Sequence, residues 1–216
     1  MKHTLFATQI YQAPVLARAK TNKSSPTGGG LRQFNKELLN EVSVLMKEDL
    51  PGQKWSKENY RHGYTSYGSV DRLYDISSTF MQLRDLITQQ LKRYLKVLEV
   101  KATTKDLYMS SMWVNIMPPG SYHTMHIHPF SVISGTYYLQ VSPETSPLKL
   151  EDPRLYHMMN APLMRDSARA QQQRFYRVYP KVGEVVFFES WLNHEVPENT
   201  AKTPRISISF NYDWLK

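Results

Sequence analysis

The chain has 216 residues, 41% hydrophobic and 12% aromatic, enough for one domain with a sizeable core and too apolar for a disordered chain. It has no cysteine, which excludes disulfides, zinc–thiolate sites, iron–sulfur clusters and thiol catalysis. No apolar run approaches the roughly twenty residues of a membrane span, and the N-terminus lacks a secretory signal pattern, so a cytoplasmic protein is expected.

Taken in order, Leu5 to Tyr11 suits a short strand, and Ser24 to Gly30 is a structure-breaking loop. Leu31, Phe34, Leu38, Val42 and Leu45 recur at helical spacing and predict an amphipathic helix to about Leu50, stopped by Pro51-Gly52. Trp55 to Tyr74, rich in Gly, Ser and Tyr, reads as loop and short strand. From an N-cap at Ser77 or Ser78, a longer helix is marked by Phe80, Leu83, Ile87, Leu91, Tyr94 and Leu98. After about residue 106 the texture changes to β-branched and aromatic runs: 109–116, 134–141, 183–188 and 205–212. In the last run Ile206, Ile208 and Phe210 alternate with Ser207, Ser209 and Asn211, the pattern of a strand with one apolar face. Residues 142–180 have Pro143, Pro147, Pro153 and Pro162 and little periodicity, and read as an insertion that covers a substrate or is partly ordered. The expected fold is therefore α+β with a mainly β core, a sandwich or jelly roll with the N-terminal helices packed on one face. It forms one domain over 1–216, with 1–105 helical or mixed and 106–216 the core.

Two basic stretches, Lys92 to Lys105 and Arg165 to Lys181, contribute to a net charge of +8. Such stretches meet nucleic acid or other polyanions in some proteins, but no nucleic-acid motif accompanies them, and solvated surfaces are the expectation. A monomer or homodimer acting on a small-molecule or macromolecular substrate is compatible with the sequence.

The chemistry concentrates elsewhere. His123, His126 and His128 fall within six residues, between the turn Pro118-Pro119-Gly120 and Pro129. In an extended strand His126 and His128 point to one face, and imidazole is the commonest metal-binding side chain. His194 follows a distant apolar strand, and Arg205-Ile206-Ser207 opens the last strand eleven residues later.

This ordered set, His-x-His, a distal His and Arg-x-Ser, resembles the iron(II)- and 2-oxoglutarate-dependent oxygenases. Asn115 to His128 also has the spacing of the Asn-x-Tyr-x-x-Gly-x5-His-x-Asp segment of the alkylation-repair oxygenases, with Met117 where those have Tyr. The segments around His126-x-His-Pro, Ser134-Gly-x-Tyr-Tyr, Gly183 to His194 and Arg205-x-Ser-x-Ser-Phe-Asn are similar to a family of such oxygenases of unassigned substrate. The resemblance implies a double-stranded β-helix, a jelly-roll variant. It also implies Fe(II), 2-oxoglutarate and O2 as cofactors, and oxidation of a substrate, typically hydroxylation, as the cosubstrate is decarboxylated to succinate.

On this reading His126, His128 and His194 hold the metal. Arg205 grips the far carboxylate of 2-oxoglutarate, with Ser207, Asn115 and Tyr137 as further contacts. Position 128 carries a carboxylate in the family at large. Glu189, Glu195 or His123 are the other candidates for that place. His123 otherwise faces substrate or supports the ligands; His3, His62 and His157 are expected at the surface, and Trp113, Trp191 and Trp214 in the core or pocket wall. Two other readings stand beside this one: a cupin-type three-histidine dioxygenase that does not use 2-oxoglutarate, and a non-catalytic polyanion-binding jelly roll.

Overall fold

Helix-forming periodicity dominates the first half of the chain, and the computed structural model, which describes residues 1, 3–16, 30–154, 159–160 and 162–215, shows where each helix begins and ends. The loop expected before residue 30 and His157 lie outside the described residues. Helix α1 (Gly30–Glu48) buries Phe34, Leu38 and Val42. Pro51-Gly52 does not end the helical region as expected. Asp49 caps a new helix, α2 (Leu50–Asn59), its carboxylate accepting the Gly52 N–H at 2.9 Å, and Pro51 sits in the first turn, where no N–H is needed. Trp55 therefore lies on a helix, and the short strand expected nearby is β2 (Tyr64–Thr65). After a single turn, α3 (Leu73–Ile76), Ser77 caps α4 (Ser78–Val97), accepting from the Thr79 N–H at 3.0 Å.

The strands build two antiparallel sheets. Edge strand β1 (Tyr11–Pro14) starts where the sequence pattern would end it, because pairing with β8 (Glu184–Glu189) sets its register, Tyr11 opposite Phe187; Leu5 and Phe6 are exposed. With β3 (Leu107–Met117), β5 (Ile133–Gln140) and β10 (Arg205–Trp214), these strands form a six-stranded sheet in the order β1-β8-β5-β10-β3-β2. The second sheet has the order β4-β9-β6-β7, from β4 (His123–His126), β6 (Leu148–Glu151), β7 (Phe175–Val178) and β9 (His194–Val196). Two of its four strands come from the 142–180 region, which is thus in part sheet. Four-residue strands are too short to show a period.

The six-stranded sheet is covered on both sides. One face packs on α1 and α4 in a core that includes Leu38, Ile87, Leu91, Val114, Ile208 and Phe210. The other packs against the smaller sheet, where Met117, Tyr138, Val186 and Phe188 meet Leu148, Leu150, Val178 and Val196. Ile208 and Phe210 therefore face the helices, and Ser207 and Ser209, which alternate with them, face the space between the sheets. Burying each such apolar side chain stabilises by about 1.5–3 kcal/mol. The charged side of α4, with Lys92, Arg93 and Lys96, is exposed. No helix among the described residues is long and apolar enough to cross a membrane.

Candidate metal centre and dicarboxylate pocket

Strand pairing brings the histidines together. His126 on β4 lies directly opposite His194 on β9, and the backbone N–H of His128 donates to the Ser190 carbonyl at 3.0 Å. Ring centroids are 4.2 Å apart for His126 and His194, 5.2 Å for His126 and His128, and 5.0 Å for His128 and His194. One ligand nitrogen from each ring lies within 4.8 Å of the others. His126 and His128 are nearly parallel, at 21°, with their Nε2 atoms 3.3 Å apart.

The backs of the rings are held. His126 Nδ1 lies 2.7 Å from the Thr124 carbonyl, and His194 Nδ1 lies 2.8 Å from that of Leu192. A carbonyl oxygen only accepts, so each Nδ1 carries the proton and each Nε2 presents a lone pair to the common centre. His128 Nδ1 contacts Asn211 Oδ1 at 2.6 Å and Ser134 Oγ at 2.8 Å. Burial keeps the rings neutral. It pushes His128 down to about 4, and pushes His123 down to about 3 with help from the neighbouring rings. His126 is also lowered, and His194 well below the usual imidazole value. Neutral rings are the form that binds a metal.

Neither glutamate considered for the third position joins them. Glu195 is paired with Lys149 at 2.7 Å, and among the described residues the potential ligand group consists of His126, His128 and His194. His123 lies beside that group, 4.3 Å from the His126 ring and edge-on to Tyr60 at 5.5 Å.

Away from the histidines, the pocket is lined by Arg205, Ser207, Asn115, Met117, Ser209 and Tyr60, and no acidic residue lines it. Arg205 is only 2% exposed. Its Nη1 donates to Ser207 Oγ at 2.8 Å and approaches the Met117 sulfur at 3.6 Å, and its guanidinium lies 5.1 Å over the Tyr138 ring. Its Nε has no hydrogen-bond partner, and no ion pair among the described residues involves it. Asn115 stands opposite Ser207 in the β3–β10 register and donates to Ser209 Oγ at 3.1 Å.

Of the four cosubstrate contacts expected from the sequence, Arg205, Ser207, Asn115 and Tyr137, Tyr137 alone is turned away from the pocket. Side chains alternate along β5, so its hydroxyl reaches Asn35 of α1 on the helix-covered face, while Tyr138 faces the pocket side. Trp113 lines the pocket, whereas Trp191 and Trp214 are about half exposed and form neither core nor wall. His3 and His62 are exposed.

Two polar residues with a place at the site, one lining the pocket and one behind the His128 ring, went unassigned in the sequence. Tyr60, just past α2, is 5% exposed and its hydroxyl is unpartnered. Burial raises its pKa, so it remains a donor. A lone Tyr in a loop-like stretch carries no signal of this. Asn211 belongs to the quoted Arg-x-Ser-x-Ser-Phe-Asn ending, but its partner is visible only once β10 and β5 are in register.

Residues 111–211 match the family model described as "Putative 2OG-Fe(II) oxygenase". The matched segment carries all three candidate ligands together with Arg205 and Ser207. Comparison with curated proteins gives no match. Among solved structures, a Pseudomonas putida prolyl-4-hydroxylase is similar at TM-score 0.59 and 15% identity, over 97% of this chain and 94% of that one. SnoN, a non-heme alpha-ketoglutarate-dependent epimerase from nogalamycin biosynthesis, is similar at 0.61 and 14%, over 95% and 78%. HygX from Streptomyces hygroscopicus, solved with nickel and 2-oxoglutarate, is similar at 0.57 and 13%, over 95% and 82%. At these identities the likeness is one of fold.

Proposed function

We propose that the protein is an Fe(II)- and 2-oxoglutarate-dependent dioxygenase that hydroxylates a substrate held at the mouth of this pocket, on a jelly roll whose walls are the two sheets. The observation that carries the reading is Arg205: a buried guanidinium without an acid, in the same pocket as three neutral imidazoles. An uncompensated buried charge is costly, so the chain is built to receive a counter-charge there.

The residues fit the groups. His126, His128 and His194 would hold the metal through Nε2, leaving other positions open for the keto-acid end of the cosubstrate and for O2. Arg205 would take the far carboxylate, with donors from Ser207 and from the unpartnered Tyr60 hydroxyl, and Asn115 on the neighbouring strand. When bound, iron with 2-oxoglutarate and O2 supplies the oxidising chemistry, and the cosubstrate leaves as succinate and CO2. The chain's own part is to fix the donors, keep the rings neutral and exclude water. Met117, against Arg205, and Phe188, against His194, supply apolar walls.

Anaerobic addition of Fe(II) and 2-oxoglutarate is expected to give the weak visible charge-transfer band of the chelate, and Arg205→Ala to abolish it at cosubstrate concentrations that saturate the wild type. A normal band in the variant would sink the assignment of Arg205. Metal uptake indifferent to 2-oxoglutarate would favour the cupin-type reading.

A further inference from the structure

We infer that Asn211 is a positioning residue that sets the tautomer of His128 and so makes a neutral imidazole serve where the family at large has a carboxylate. The inference rests on the metal-centre reading above.

His126 and His194 are each locked by a backbone carbonyl, which no substitution removes. His128 differs, because everything behind its ring is side chain. Its Nδ1 sees Asn211 Oδ1 at 2.6 Å and Ser134 Oγ at 2.8 Å. A hydroxyl accepts or donates with equal ease, so Ser134 alone would leave the tautomer open. Here Ser134 donates to Asn211 Oδ1 at 2.8 Å, and its lone pairs face Ser190 Oγ at 2.7 Å. With that hydrogen committed to the amide oxygen, the ring nitrogen must be the donor, and Nε2 is left free.

The competing arrangement is close at hand. If Nδ1 lost its proton and accepted from Ser134, Nε2–H would point at His126 Nε2, 3.3 Å away. The two rings would then satisfy each other, and neither Nε2 would have a free lone pair for a metal. The amide oxygen separates a binding-competent pair from a self-bonded one. Asn211 is 7% exposed and lies opposite Ser134 in the β10–β5 register, next to an irregularity between Asn211 and Tyr212 in the β10–β3 pairing. Irregularities of this kind re-aim a side chain.

The test uses the whole chain and Co(II) as the probe. Imidazole 15N spectra of the metal-free wild type should show His128 protonated at Nδ1, and Co(II) titration by visible absorption should give a three-nitrogen site. Asn211→Leu removes the acceptor and is expected to move the proton to Nε2 and weaken Co(II) binding about 10–100-fold, the usual cost of losing a ligand's outer hydrogen bond. Asn211→Asp keeps an acceptor oxygen and should bind Co(II) at least as tightly as wild type, which also guards against a Leu variant that fails to fold. Wild-type His128 protonated at Nε2, unchanged affinity in Asn211→Leu, or an Asp variant as weak as the Leu variant would each overturn the inference while leaving the metal reading intact. A wild-type protein that takes up no Co(II) would overturn the metal reading and this inference with it.

Discussion

At the scale of single residues, the pocket is defined by what its polar atoms lack. Arg205 has a hydroxyl, a sulfur and an aromatic face around it but no carboxylate, and Tyr60 has an oxygen with nothing to bond. A hydrogen bond to a charged group contributes roughly 1.5–3 kcal/mol, so Tyr60→Phe is expected to raise the dissociation constant for 2-oxoglutarate by about tenfold or more. Metal affinity should not change, because Tyr60 makes no contact behind the three ligand rings. Parallel titrations with metal alone and with metal plus 2-oxoglutarate separate the two. Equal affinity of Tyr60→Phe and wild type for 2-oxoglutarate would remove Tyr60 from the binding set.

At the scale of elements, the polar strand faces carry the site. On β10, Ile208 and Phe210 pack on the helices while Ser207 and Ser209 line the pocket, an alternation that was legible in the sequence because it is a period-two pattern. The same rule holds on β5, where Ser134, Thr136 and Gln140 alternate with Ile133, Gly135 and Leu139 and set Tyr138, rather than the expected Tyr137, on the side of the site. The strand is also packed closely against its neighbours. A Cβ at Gly135 would sit 2.3 Å from the Val186 carbonyl oxygen and 2.4 Å from the Phe210 ring. Backbone cannot yield there cheaply, so Gly135→Ala is expected to lower stability by about 1–3 kcal/mol or more, read as a fall in denaturation midpoint with an unchanged slope. A variant as stable as wild type would mean that β5 and β8 are less tightly apposed than described. Helix α2, which begins where the first was expected to stop, was missed because Pro51 reads equally as a stop and as a first-turn residue, and the Asp49 cap decides between them.

At the scale of the whole molecule, several imidazoles held neutral in one pocket make the metal-free protein sensitive to acid. Their folded pKa values are depressed, His128 to about 4 and His123 to about 3, whereas in the unfolded chain they titrate near 6.5. The unfolded state therefore binds more protons below about pH 6.5. Folded stability is lost as pH falls from there towards the folded values, on the order of 1 kcal/mol per pH unit for each such ring. Thermal melts of metal-free protein between pH 7 and pH 5 should show a falling midpoint. Excess Co(II) at pH 7 should raise the midpoint, since a ligand that binds only the folded state stabilises it. A midpoint flat across that range would mean the rings are more hydrated than their surroundings imply.

The cap at Asp49 reaches further than its own helix. Its carboxylate accepts from Gly52, from the Tyr64 hydroxyl at 2.7 Å and from Ser69 at 2.5 Å, tying α2 to the segment that runs into the large sheet. Tyr60 hangs from the far end of α2, outside the segment that matches the oxygenase family. Under the proposed function, metal and dicarboxylate would thus be written in different places: the candidate ligands in the matched segment, and one wall of the pocket some fifty residues upstream of it. On that reading, a lineage carrying this arrangement would have a dial for cosubstrate grip in its helical half, and turning it would leave the three candidate histidines untouched.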